Sequence, residues 1–316
     1  MLKIICLLFL TTATVYGQDS TINWLNKNCQ PLKFDTTSND DDELHFLNKL
    51  LKDKTIIGLG EASHGTREFY YQKSRIVEYL VQKEGYKMLA LEAPSNIVAP
   101  INKYIQEGEG DLKSMLKSMG LYNSKEMYNL CVWLKGFNKV KSTNEKVEII
   151  GFDSEGYWQD PFTRDELMAG SFIKKYAINK FKTILWAHNL HIAKDVTMAK
   201  YKAMGYYIKK EFGDNFYAIG FDTYKGSVNV LNNNGELESH EFAGNEDTFS
   251  TLFAKVEYPQ FFIDLTKENN PLTNSVNKIT NIYSNWKTPT PLPIRIGSDF
   301  DGIIFIRESS ASIGLE

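Results

Sequence analysis

A chain of 316 residues with 42% hydrophobic and 13% aromatic content is long enough to bury one substantial core. Its formal net charge of −3, with lysines scattered among acids, lacks the basic field that binding nucleic acid requires. The first apolar run, Ile4 to Leu10, is far shorter than the ~20 residues of a membrane span, so no membrane-crossing segment is expected.

In chain order, Met1-Leu2-Lys3, the apolar run and the small residues at Val15 and Gly17 read as a secretory leader cut after Gly17. The expectation is a leader over 1–17, a single α/β domain over 18–316 and an exported product, periplasmic or secreted. Cys29 and Cys131 then read as two buried free thiols, Cys131 facing inward from a helix, or as one disulfide in an oxidising compartment. A polar stretch from Thr36 to Glu43 leads into an amphipathic run through Leu44, Phe46, Leu47, Leu50 and Leu51, a short capped helix.

From Lys54 onward strand-like and helix-like patterns alternate. Thr55–Gly60 reads as a strand, Thr66–Glu84 as a helix, Tyr86–Glu92 as a strand and Ser95–Gln106 as a helix. Helical stretches at Leu112–Met119 and Ser124–Val140 precede a strand at Val147–Asp153. Then come a helix at Arg164–Ile178, a strand at Thr183–Ala187, a helix at Met198–Phe212 and a strand at Phe216–Phe221. Val228–Leu231 and Leu237–Phe242, joined by Asn232-Asn233-Asn234-Gly235, carry a hairpin signature. Phe261–Leu265 and Gly302–Ile306 read as the last strands, separated by a loop with Pro289, Pro291 and Pro293. This alternation predicts a mainly parallel, mixed central sheet with helices on both faces. Gly-Phe-Asp recurs at 151–153 and 220–222, each time closing a strand, as a duplicated unit or as one turn chemistry used twice.

The chemistry lies where strands end. Glu61 and His64 follow the first strand, Glu92 closes the second, Asp153 the third, and His188 with His191 the fourth, so three of the five histidines sit at strand exits. In a parallel sheet all these ends share one edge, where open α/β enzymes place their sites. Taken alone, Glu92 reads as a cap for the following helix and Asp153 as a turn residue. Ser63 lacks the strained Gly-x-Ser-x-Gly elbow of a nucleophile. His188 and His191 have a spacing that puts two rings on one helical face, so a metal site with Glu61, His64 or Glu92 is an alternative, though the pattern is not His-Glu-x-x-His.

Gly60-Glu61-Ala62-Ser63-His64-Gly65-Thr66-Arg67-Glu68-Phe69, Leu91-Glu92, Gly151-Phe152-Asp153, Arg164-Asp165-Glu166-Leu167-Met168-Ala169, Trp186-Ala187-His188-Asn189-Leu190-His191 and Phe300-Asp301-Gly302-Ile303-Ile304-Phe305 together resemble the erythromycin esterase family. The resemblance spans nearly all of the chain after the leader. It implies a hydrolase without metal or cofactor that opens macrolide lactones by an activated water, with no covalent acyl-enzyme. On that model His64 matches the general base, Glu61 and Glu92 the acids lining the site, and His188 and His191 the paired histidines opposite. Lys73 stands where some members carry arginine, with Arg75 two residues on; these and Asp153 are the expected substrate-binding groups. The chain departs from the family where Arg164 follows Asp153 by only 11 positions, the place of a long helical insertion. An open cleft for a small-molecule ester or lactone other than a macrolide is therefore expected. A metal-dependent hydrolase and a non-catalytic binder of haem or another small ligand are the alternatives. Two acids in the pocket weigh against the binder, because burying them without ionic partners is unfavourable.

Overall fold

Short runs rich in β-branched and large apolar side chains become strands here because helices cover both faces of the sheet they form. The computed structural model describes residues 19–37 and 41–315, and the expected leader lies outside them. A helix over 19–28 (α1) leads into β1 (Gln30–Pro31), α2 (Phe46–Leu50), β2 (Ile56–Leu59), α3 (Arg67–Lys83) and β3 (Met88–Pro94). Next come α4 (Ser95–Glu107), α5 (Leu112–Lys117), α6 (Lys125–Lys139), β4 (Glu148–Asp153), α7 (Pro161–Asn179) and β5 (Thr183–Trp186). The remainder is α8 (Asn189–Ile192), α9 (Met204–Phe212), β6 (Phe216–Leu231), β7 (Leu237–Phe242), α10 (Phe249–Phe253), β8 (Gln260–Asp264), β9 (Val276–Ile279), β10 (Leu292–Arg295) and β11 (Gly302–Ser309).

The main sheet has the order β1-β8-β11-β6-β2-β5-β3-β4, with β7 paired to β6. From β11 to β4 every pairing is parallel; the β1–β8, β8–β11 and β6–β7 pairings are antiparallel. This is the mixed, mainly parallel sheet expected. Its two faces carry separate cores: residues of α2 to α6 pack with Ile57, Leu59, Leu89 and Ile184, whereas residues of α1 and α7 to α10 pack with Ile56, Ala90, Leu185 and Ala218. Neighbouring strands β2 and β5 therefore send their connections to opposite faces, β2 to α3 and β5 to α8 and α9. That divergence opens a crevice at their carboxyl ends.

Three expectations change. The strand expected to end at Phe221 continues to Leu231, so the second Gly-Phe-Asp lies inside β6 and closes nothing. Gly226 carries the strand past a crowded point: its φ is +135°, and a Cβ there would sit 1.9 Å from the Ser309 carbonyl oxygen of β11. The helix expected from Met198 begins only at Met204. Pro293 lies within β10, whose sole strand partner is β9 in a two-stranded sheet where a missing N–H is tolerated. Cys29 and Cys131 are free thiols. Among the described residues no helix is long and apolar enough to cross a membrane.

Candidate active site

The loop leaving β2 is held tightly. Gly60 N–H donates to Ile219 O at 2.8 Å, and a Cβ on Gly60 would lie 2.2 Å from Asn189 Oδ1. That Asn189 amide bridges the backbone of β6, accepting from Phe221 N at 3.0 Å and donating to Phe221 O at 2.7 Å. At the other end a Cβ on Gly65 would meet the Asn229 carbonyl at 1.9 Å. Between these two glycines the backbone has little freedom, and it presents Glu61 and His64 together. Glu61 Oε1 accepts from His64 Nδ1 at 2.6 Å, and Glu61 Oε2 takes Lys73 Nζ at 2.6 Å. Glu61 and Lys73 are both fully buried. The Lys73 ammonium also lies 4.5 Å over the Trp186 ring. Burial pushes the Lys73 pKa down to about 8 against the pull of Glu61.

Glu92 sits where β3 slips register against β4, between Leu91 and Pro94, and such a bulge re-aims a side chain. Gly151 allows it, since a Cβ there would stand 2.4 Å from Ala93 O. Glu92 Oε2 accepts from His188 N at 2.8 Å. Its Oε1 lies 3.1 Å from His191 Nε2 and 3.0 Å from Arg164 Nη2. Burial alone would raise the Glu92 carboxyl, but His191, His64 and Arg164 hold it well below the usual range. Asp153 completes this side: it accepts from Ser154 N at 2.8 Å, as its turn role predicts, and from Arg164 Nη2 and Trp158 Nε1 at 2.8 Å each.

The two histidines of α8 have opposite characters. His188 caps the helix: its Nδ1 accepts from Leu190 N at 3.3 Å, which leaves Nε2–H to donate to Ala62 O at 3.3 Å. Burial, with the charge of His64, pushes it down to about 3, so it is neutral. His191 is clamped between Asp165 Oδ1, 2.8 Å from Nδ1, and Glu92. Burial opposes its charge, but Asp165 and Glu92 together raise it to about 10, so it is a cation at neutral pH. Asp165 also accepts from Met204 N at 2.8 Å and Tyr201 Oη at 3.0 Å. The amino end of α9, whose own cap position is Ala203, is thereby sealed by a carboxylate from α7.

Of these groups His64, Glu92, Asp153 and Arg164 border a cleft of about 240 Å³, walled also by Ile97, Met119, Leu121, Tyr122 and Leu231 among others, while Glu61, His188 and His191 stand behind its wall. His64, Glu61, Glu92, Asp153, His188 and His191 are thus brought together as the strand-exit argument requires. Lys73 is not available to a ligand: it lies beneath Glu61 with no exposure. Arg75, expected beside it, points elsewhere and pairs with Glu43 at 2.5 Å, because two residues along a helix turn a side chain to another face. It borders a larger cavity of about 680 Å³ between α3 and α6 that contains none of the histidines. Sequence reasoning gave no role to Asp165, Arg164, Tyr122 or Trp158. Asp165 carried a signal, since it falls on the helix face of Met168, Ala169 and Phe172, all buried.

The donors of a metal site do not converge here. Both oxygens of Glu61 and of Glu92, and both ring nitrogens of His188 and His191, are engaged by neighbouring protein groups. Among the described residues the donor atoms that gather within 4.8 Å belong to Asp41, Asp42 and His45, away from the cleft.

The erythromycin esterase profile matches residues 81–160 and 154–309. A putative hydrolase of Bacillus subtilis (strain 168), YbfO, is 31% identical over 133 residues, which is 42% of this chain and 28% of that protein. Erythromycin esterase type II of Escherichia coli is 25% identical over 132 residues, 41% of this chain and 30% of its own. The matched stretch thus spans less than a third of either relative. Among solved structures, a succinoglycan biosynthesis protein superposes with a TM-score of 0.83 at 20% identity, over 94% of this chain and 98% of that one. An erythromycin esterase, EreC, in its open conformation superposes with a TM-score of 0.67 at 14% identity, over 88% and 96%. At these identities the two structures share its fold. With the profile covering most of the sequence in order, the chain belongs to the erythromycin esterase family.

Proposed function

We propose that this chain is a hydrolase that cleaves an ester or lactone by attack of water activated by His64, without a covalent acyl-enzyme, a metal or a cofactor. The observation that carries the reading is the 2.6 Å contact of His64 Nδ1 with the buried carboxylate of Glu61. Donation from Nδ1–H leaves the lone pair on Nε2, and a neutral imidazole with that tautomer takes a proton from water near neutral pH. Glu61 then steadies the imidazolium, and Lys73 fixes Glu61. His188, with its ring 5.2 Å from His64, stays neutral and so does not oppose that charge. Ser63 does not compete as nucleophile: it is 1% exposed and its hydroxyl pairs with Thr66.

The developing oxyanion needs positive charge across the cleft. Arg164 serves there. It borders the cleft, is held by Asp153 and Glu92, and is backed by protonated His191. A cleft of about 240 Å³ is smaller than the ~300–1,000 Å³ that enclose drug-sized ligands, so the substrate is an ester or lactone only part of which is enclosed. The leader-like start of the sequence supports export as part of this proposal, and fractionation of the expressing cell checks it.

The test is hydrolysis of a panel of simple esters and lactones by the purified protein beside His64→Ala, with metal content measured on the same samples. The expected loss in kcat is about 10²- to 10⁴-fold. Unchanged activity in His64→Ala overturns the reading. Activity that tracks a stoichiometric metal and is abolished by a chelator moves it to the metal-dependent alternative.

A further inference from the structure

The cleft at His64 does not end at its own wall. Ile97 and Ser118, which border it, also border a groove of about 430 Å³ between α4 and α5. The two spaces are therefore continuous, whereas His64 and Arg164 border the cleft and not the groove. A substrate held at His64 and only partly enclosed there has this groove as its next surface.

The walls of the groove select against charge. Ile97, Pro100 and Met115 supply apolar surface, and Asn96, Ser114 and Ser118 stand exposed along it. Asp111 is the single charged residue among the described lining groups, and its carboxylate is taken up at the amino end of α5, accepting from Lys113 N at 3.1 Å. An ionic ligand finds no cation there, and a flat ring finds no aromatic face to stack on. The apolar surface is already in place: Ile97 and Met115 are half-buried and pack on the core of that face of the sheet. Gly110, at φ +102°, leaves room for the Met115 methyl, since a Cβ there would lie 2.4 Å from Met115 Cε. The flexible thioether of Met115 adapts to chains of varied shape.

We propose that the α4–α5 groove is a second subsite, which takes an unbranched alkyl chain on the acyl or the alcohol side of the ester while the ester group lies at His64. This rests on the hydrolase reading above. Each CH₂ that enters leaves water for apolar surface with no charge to desolvate, so binding grows with chain length until the groove is filled.

The test is kcat/KM of the full chain along two series, 4-nitrophenyl acetate to octanoate and ethyl to octyl acetate, beside Ser114→Trp, which places an indole in the groove at a position that does not border the cleft. In wild type one series rises about two- to fourfold per added CH₂, and which series rises tells whether the acyl or the alcohol chain is held. In Ser114→Trp the same series stays flat within about twofold. Two flat series in wild type overturn the proposal, and so does a rise that Ser114→Trp leaves intact. Ser114 and Asn96 are both exposed, so Asn96→Trp fills the groove from the α4 side and repeats the test should Ser114→Trp melt lower. If wild type hydrolyses no ester, the hydrolase reading fails separately, and octanamide added to protein carrying ¹³C-methyl methionine judges the groove by itself. A saturable shift of the Met115 methyl signal that Ser114→Trp abolishes supports the subsite, and an unshifted signal in wild type overturns it.

Discussion

The two halves of the candidate site use the same residue types to opposite ends. On the β2 side one carboxylate, Glu61, is shared between a fully buried lysine and an imidazole that reaches the cleft. On the α8 side one imidazole, His191, is shared between two carboxylates and carries a proton at neutral pH. In the proposed mechanism the first arrangement orients a base, and the second holds a cation. An acid–imidazole contact therefore does not define a role; the number of carboxylates per ring does.

The largest test of that contrast is Asp165→Asn, which removes one of the two charges holding His191. Breaking a buried pair from one side costs about 3–5 kcal/mol, read as a lower denaturation midpoint. The pH dependence gives its sign. A folded-state value raised from 6.5 to about 10 contributes stability that is complete below 6.5 and disappears as pH rises through 10. The stability gap between wild type and Asp165→Asn is accordingly widest near pH 6 and narrows toward pH 10; a gap that widens with pH breaks the comparison. Next is Arg164→Ala, expected to lower kcat about 10²- to 10³-fold with little change in KM, because the cation acts on charge that develops only in the transition state.

Lys73 probes the other half. Its pKa of about 8 means the ammonium is intact below pH 8 and lost above it, so activity declines on the alkaline side as Glu61 loses its partner. Lys73→Arg, which keeps its charge, moves that decline upward by at least about one pH unit; an unmoved alkaline limb separates Lys73 from the mechanism. Arg75→Ala is the small end of the series. It removes a largely buried pair with Glu43 away from the cleft, so kcat and KM stay within about twofold whatever the loss of stability.

Much of this edge was legible because strand exits are written in the sequence as apolar runs followed by polar residues. Glu61, Glu92 and His188 needed only the assumption of a parallel sheet to be placed together. Lys73 and Arg75 were not told apart, yet helical spacing separates them: Lys73 shares a face with the buried Phe69, Ile76 and Leu80, and Arg75 does not. Asp165 and Arg164 were read as motif letters without a role, since a charged pair in the first turns of a helix usually faces solvent. What brings them inward is the packing of α7 against the sheet, a tertiary fact. The uninterrupted β6 was hidden by Gly226, which reads as a breaker until β11 is seen pressed against it.

Cys29 packs with the core on one face of the sheet and Cys131 with the core on the other. The sheet stands between the two sulfurs, so joining them requires unfolding the domain. Burial also raises both thiols, Cys29 to about 11 and Cys131 to about 12, which keeps them from reacting as thiolates. As far as these two thiols are concerned the folded domain is indifferent to redox conditions, and reductants leave the melting point of residues 19–315 unchanged.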